Sequence, residues 1–331
     1  MQNRSLAKGR CKLAYLILTH QFPESLSRLV NRLNSPHAHF FIHINSAVDI
    51  RPFLRALPPS ENVHYTDTRF KVHWRGFKTV DATLQLMQEA VEHEQDFKYC
   101  ILLSGADYPI KPTDHIQAFF EKTNLEYIHY CRLQDNPLMM KKVLQYYFHD
   151  VIPYDRYRKQ PRLFRLFRRK AFRLLSHVVP RQYPENIEPY FGPQWWNLTG
   201  DCVAYIVDYV RNNPHFVRYY RYTDAPDEMF FQTLVLNSPF AKRTVHYEAY
   251  RKLTKIEDLD ELRAEYGKSF PEESFFLRYI DFSDSGGSPA TLVEDDFPAL
   301  ESSEALWARK FHPTSSAQLL DRIDTNLLNG Q

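Results

Sequence analysis

Tyr99-Cys100-Ile101-Leu102-Leu103-Ser104-Gly105-Ala106-Asp107-Tyr108-Pro109-Ile110 decides the fold class. An apolar run that ends in Gly, Asp and Pro reads as a buried strand stopped by a tight turn. The same pattern recurs upstream at 12–19, 39–44 and 62–66, and downstream at 127–131. Between these runs the period changes to that of a helix. Leu26, Leu29, Val30 and Leu33 share one face over 24–33, and Val80, Leu84, Met87 and Val91 share one over 78–91. A third helix is expected over 113–122. Strands alternating with helices predict an α/β fold with a mostly parallel, doubly wound sheet flanked by helices. Ligands then bind at the carboxyl ends of the strands. His20, Asn45, Asp67 and residues 104–107 all follow strand-like runs and are expected on that edge.

Beyond Pro137 the pattern is less regular. A strand leading into a helix is expected over 196–204, and a helix over 227–236. Short strands or extended segments are expected at 244–246, 278–282 and 305–311, with a final helix over 315–328. No internal repeat, low-complexity tract or linker interrupts the chain. Residues 1–331 therefore read as one domain, with a tail at 1–11.

Composition removes several function classes. With 331 residues, 44% hydrophobic and 25% charged, the chain can build an ample core. Glycine is scarce at 9 residues, and neither a G-x-G-x-x-G fingerprint nor a Walker A loop is present. The net charge of +2 does not mark a bulk polyanion binder, and no nucleic-acid partner is expected. Cys11, Cys100, Cys131 and Cys202 are too scattered for a zinc knuckle or a C-x-x-C pair, which suits a reducing compartment. Met1 to Arg10 has no apolar core, and no window approaches 18 apolar residues. The expectation is a soluble, cytoplasmic protein that meets a membrane only from its surface.

Residues 156–173 hold nine Lys or Arg and no acid, interleaved with Leu163, Phe164, Leu166, Phe167 and Phe172. Within 156–175 such a basic amphipathic segment suits an anionic membrane surface, here the inner face. A surface helix that turns its Leu/Phe stripe inward is the plainer alternative.

Four islands carry candidate chemistry. Glu228 follows Pro226-Asp227, where a carboxylate suits a helix start as well as a general base. Asp107 ends the strand quoted above. Gly192-Pro193-Gln194-Trp195-Trp196 offers an aromatic pair, and Trp307-Ala308-Arg309-Lys310-Phe311 a basic pair able to hold a phosphate without metal. Metal readings are weaker. His37, His39 and His43 fall on one strand face, where packing is the commoner explanation, and Asp258-Leu259-Asp260 lies in an acidic helical run.

In this order and at these spacings the islands resemble the core-2/I-branching glycosyltransferase family, glycosyltransferase family 14, with its peptide O-xylosyltransferase branch nearest. The resemblance covers roughly residues 12–325. It includes Phe41-Ile42-His43-Ile44-Asn45, Trp74-Arg75-Gly76, Pro226-Asp227-Glu228, Arg278-Tyr279-Ile280-Asp281-Phe282 and Gly287-Ser288-Pro289. It implies a GT-A-like fold and inverting, metal-independent transfer of xylose or N-acetylglucosamine from a UDP-sugar to a hydroxyl. The acceptor would be a glycan, a lipid-linked glycan or a protein. No cofactor is implied. Glu228 falls on the catalytic base. His20, Asn45, Trp74, Asp107, Arg309 and Lys310 fall on the donor side, and Gln194, Trp195, Trp196 and Asp227 on the acceptor side.

The chain departs from the family pattern at four places. Asn45 stands for an Asp, Arg75 for the first Gly of a Trp-Gly-Gly turn, and Gln194 for an acid beside the aromatic pair. Ala290 stands for a second diphosphate Arg, for which Arg278 or Lys252 could substitute. These departures motivate a competing expectation: a non-catalytic UDP-sugar- or membrane-binding protein that keeps the fold.

Overall fold

The computed structural model describes residues 10–93, 96–154, 156, 159–253, 261, 264–265, 272–282 and 288–329. Asp258-Leu259-Asp260 and Gly287 lie outside the described residues, as do 1–9 of the expected tail.

Six strands form the central sheet: β1 (Lys12–Thr19), β2 (Ala38–Ile44), β3 (Val63–Tyr65), β4 (Phe97–Ser104), β6 (Tyr127–Ile128) and β9 (Trp196–Thr199). Their order is β3-β2-β1-β4-β9-β6. The first four run parallel, while β9 is antiparallel to both β4 and β6. The α/β expectation of a mostly parallel sheet between helices is met. β2 is buried along its whole length and β1 nearly so, as sheets covered on both faces require. Tyr15 stacks on Phe40 across the β1–β2 pair with ring centres 5.2 Å apart.

The helix Lys78–Glu92 packs on β1 and β2, but its buried stripe is rotated from the expected one. Thr79, Val80, Thr83, Leu86, Met87 and Ala90 face the sheet, and Val91 is exposed. Each large side chain buried here contributes roughly 1.5–3 kcal/mol.

The chain winds outward from β1 to β3 and returns to β4 on the other side, so a topological switch point lies between β1 and β4. Gly105 sits there. A Cβ on it would fall 2.3 Å from Thr19 Oγ1, so only glycine allows the β4 turn to close on the end of β1. A second sheet joins β10 (Arg278–Ile280), β11 (Trp307–Arg309) and β5 (Asp107–Pro109) in the order β10-β11-β5, and places it against that edge.

Several expected elements come out differently. The run 127–131 is cut into β6 and β7 (Cys131–Arg132), and β7 pairs with β8 (Tyr190–Phe191) in a separate ribbon. Residues 244–246 form only a bridge, Thr244 to Glu126. The expected helix over 227–236 is broken. A 3₁₀ turn at Pro226–Glu228 precedes the helix Phe230–Leu236, with Met229 between them at φ −139°. The final helix, Ala317–Ile323, continues into a π turn at Asp324–Leu328.

Candidate active site

The basic half of the site is built by the small sheet. Asp107 on β5 lies directly opposite Arg309 on β11. Its carboxylate is 3.1 Å from the Arg278 guanidinium and 3.7 Å from that of Arg309. It also accepts a hydrogen bond from the Ser104 N–H. The Trp195 ring covers both cations, at 4.9 Å from Arg278 and 4.0 Å from Arg309. Two guanidiniums against one carboxylate leave one unbalanced positive charge in a nearly dry place. Arg309 Nε and Nη1 and Arg278 Nη1 have no hydrogen-bond partner among the described residues. Burial lowers the Arg309 pKa, and burial, only partly offset by Asp107, brings that of Arg278 down to about 10. An anion at this spot would relieve both strains. Lys310 comes directly after β11, its N–H donating to the Ala290 carbonyl and its carbonyl accepting from the Leu292 N–H.

This geometry revises three expectations for ligand contact. Asp107 is 2% exposed, so it positions Arg309 and Arg278 rather than touching a donor itself. Trp196 is fully buried in β9 against Phe231 and belongs to the core, not to an acceptor platform. Trp195 stands just before β9 and covers the basic cluster, whereas Trp196 opens the strand and packs into the core. Asn45 spends its side chain on the following loop. It donates to the Val72 carbonyl at 2.9 Å and accepts from the Ala47 N–H at 3.0 Å. Of the two residues expected to stand in for the missing second diphosphate Arg, Arg278 joins the basic cluster, whereas Lys252 is an exposed residue of the helix Tyr247–Leu253. His20 is exposed at the end of β1.

The carboxylate half is built around the 3₁₀ turn. Ala225, in the left-handed region at φ 51°, turns the chain so that Asp227 and Glu228 leave Thr223-Asp224 in a new direction. Glu228 is half-exposed and its Oε2 lies 2.9 Å from Lys142 Nζ, on the helix Pro137–Leu144. Asp227 has a buried oxygen with no hydrogen-bond partner among the described residues. Burial, then the neighbouring Glu228 charge, push the Asp227 carboxyl up to about 7. Asp224 behaves in the opposite way. Burial favours its neutral form, but hydrogen bonds from His149 and Arg75 outweigh that and hold it at about 2.

Arg75 makes two bonds to Asp224, one to each carboxylate oxygen. Its own backbone is left-handed at φ 67°, a conformation that costs a side-chain-bearing residue about 1–2 kcal/mol. The ion pair offsets that cost at the position where the resembling family carries glycine. The next residue is still glycine because a Cβ on Gly76 would meet Asp150 Oδ1 at 2.2 Å. Asp150 in turn caps the helix Lys78–Glu92, accepting from the Phe77 and Lys78 N–H groups. Trp74 is 49% exposed, edge-on to Tyr154 and beside the Arg75 guanidinium.

Residues 192–195 join the halves. The Gly192 N–H donates to the Glu228 carbonyl at 2.8 Å, and three residues later Trp195 covers Arg309. Three residues span at most about 10 Å. This short stretch therefore ties the turn that carries Glu228 to the basic cluster, with Gln194 between them. Lys142 and His149 escaped sequence reasoning, since nothing in their local pattern sets them apart. Arg278 carried a faint signal as a charge inside the apolar run Phe275-Phe276-Leu277 and Tyr279-Ile280.

A family model described as Core-2/I-Branching enzyme matches residues 13–295. Xylosyltransferase 2 of Canis lupus familiaris is 24% identical over 327 residues, 96% of this chain and 34% of the relative. Xylosyltransferase 2 of Homo sapiens gives the same figures. Xylosyltransferase 1 of Rattus norvegicus is 24% identical over 326 residues, covering 96% and 35%. The chain thus spans about a third of the length of the curated relatives it matches.

Proposed function

The chain belongs to the Core-2/I-branching enzyme family, and from that premise we propose that it is a glycosyltransferase moving xylose or N-acetylglucosamine from a UDP-sugar to an acceptor hydroxyl. The observation that supports this reading best is the unbalanced positive charge of Arg278 and Arg309, tied through residues 192–195 to the turn that carries the exposed Glu228 carboxylate. A dianionic diphosphate is the ligand that such a cluster suits. The names of the relatives favour xylose as the sugar.

In this reading the acceptor hydroxyl attacks the anomeric carbon from the face opposite the diphosphate, which inverts the configuration. Glu228 takes the hydroxyl proton as the bond forms, a contribution of about 10²–10⁴ in rate. Lys142 orients Glu228, and Asp227 offers a hydrogen-bonding group to the acceptor. As UDP departs, Arg309 and Lys310 hold its growing charge, in the part that a metal plays elsewhere. Asp107 and Trp195 keep Arg309 in place. His20, Trp74 and the loop fixed by Asn45 line the donor side, and Gln194 the acceptor side. The acceptor is a glycan, a lipid-linked glycan or a protein. The domain works beside an anionic membrane surface, which the helix Arg162–Val178 contacts.

The test is UDP release from a panel of UDP-sugars and acceptors, with and without EDTA, in protein whose fold is checked by circular dichroism. Turnover with UDP-xylose or UDP-N-acetylglucosamine that persists in EDTA is the expected result. UDP binding without turnover on any acceptor would favour the non-catalytic reading, and loss of turnover in EDTA with the fold intact would remove metal independence.

A further inference from the structure

At the opposite end of the sheet from the candidate active site, three histidines converge. His39 is the second residue of β2, His64 the middle residue of β3, and His93 the residue that ends the helix Lys78–Glu92. His39 and Phe41 point to one face of β2, and His64 pairs with Phe41 across the β2–β3 ladder. The helix end brings His93 onto the same spot. Ring centres are 5.1 Å apart for His39 and His93, and 4.9 Å for His64 and His93. One ring nitrogen from each lies within 4.8 Å of the others.

We propose that His39, His64 and His93 form a binding site for a zinc-class divalent transition ion, which ties the β2–β3 edge of the sheet to the end of the helix Lys78–Glu92.

Four observations carry it. First, each histidine has a buried ring nitrogen with no hydrogen-bond partner among the described residues: Nδ1 of His39, Nε2 of His64 and Nδ1 of His93. Three orphaned imidazole nitrogens at one point are costly unless something accepts their lone pairs. Second, the donor set is three imidazoles, which suits zinc, nickel or copper rather than magnesium or calcium. Third, tetrahedral zinc with bonds of about 2.0–2.1 Å needs its nitrogens about 3.3 Å apart, so side-chain rotations of about an ångström close the site. Fourth, Phe41 and Phe97 wall the cluster, at 5.1 Å from His64 and 5.3 Å from His39. That apolar wall shields a site of modest ligand number. His64 and His93 are only half-buried, which leaves the fourth position to water.

The competing explanation is an aromatic-histidine cluster that packs without an ion. Tag-free protein, stripped with EDTA and freed of chelator, should bind one zinc ion per chain by calorimetry. It should also give the visible absorption of four-coordinate cobalt when Co²⁺ is added. Zinc at about 100 times its dissociation constant should raise Tm by roughly 3–5 °C. His64→Asn and His93→Asn, made separately so that one folding failure leaves the other to decide, should each weaken zinc binding by roughly tenfold or more. Both should bind UDP as the parent does. Absence of saturable zinc binding, or variants that bind zinc as tightly as the parent, would overturn the site.

Discussion

The Lys142 ammonium lies 2.9 Å from the Glu228 carboxylate, across 86 residues of chain. The pair sets a flexible carboxylate in one direction while leaving its outer face exposed. Glu228→Gln should cut turnover about 10²–10⁴-fold and leave the UDP dissociation constant within a few-fold. Lys142→Ala should lower kcat about tenfold through misorientation. Because Glu228 is 42% exposed, the stability cost of that variant should stay under about 1 kcal/mol in urea unfolding. Lost UDP affinity in Glu228→Gln would instead place Glu228 on the donor.

Asp224 holds both Arg75 and His149, and its pKa is about 2 against an ordinary value near 3.9. A carboxyl with a depressed folded pKa contributes stability above the unfolded value. That contribution disappears as pH falls from about 4 towards 2. Asp224→Asn should therefore cost about 2–3 kcal/mol at pH 7 and progressively less below pH 4, as read by urea unfolding. A cost independent of pH would mean that packing, not the ion pair, is what the substitution removes.

Asp227 gives the opposite sign. Its folded pKa of about 7 lies above the unfolded value, so the unfolded chain loses its proton first. Between about pH 4 and 7 this group makes stability fall as pH rises. Asp227→Asn should leave stability nearly unchanged at pH 4.5 and raise it relative to the parent at pH 7.5. Equal differences at both values would show that Asp227 does not titrate in this window.

Arg309 and Arg278 share Asp107 but differ in access, with side chains 13% and 0% exposed. Arg309→Ala should weaken UDP binding at least about tenfold while the protein stays folded. Arg278→Ala leaves Asp107 buried with less compensation and should cost about 3–5 kcal/mol of stability. Lys252→Ala should change neither. Isothermal titration with UDP, beside thermal unfolding, separates the two effects.

The helix Arg162–Val178 exposes Leu163, Phe164, Phe167 and Leu174, each more than half accessible. The inward-facing alternative fails for these residues, while Phe172 docks with its ring 5.1 Å from Phe148. Among the described residues no helix is long and apolar enough to cross a membrane. Vesicles with anionic lipid should pellet the protein, neutral vesicles should not, and Phe164→Ser with Phe167→Ser should release it. High salt should weaken the binding. Equal binding to both vesicle types would remove the electrostatic attachment.

The parts legible in sequence were those written in local pattern. The period of the apolar residues placed β1, β2 and β4 and the helix Lys78–Glu92, although the stripe that faces the sheet turned out rotated. The ordered motifs led to the family and to Asp107, Glu228 and Arg309. The helix over 227–236 was misread, because it breaks at Met229, at φ −139°, next to the Glu228 carbonyl that accepts from the Gly192 N–H. Trp196 went to the acceptor side because an aromatic pair reads the same whether its rings fill the core or cover a charged cluster.

By itself the sequence determined the four parallel strands of the central sheet, and therefore which residues stand on its ligand edge. Burial and period are local properties, readable within about a dozen residues. Only the tertiary structure decided what those residues do there. It made Asp107 a buried counterion, aimed Glu228 through Lys142, and brought His39, His64 and His93 to one point. Each of these depends on groups far apart in the chain, whose charges and lone pairs act over a few ångströms once folding has set them side by side.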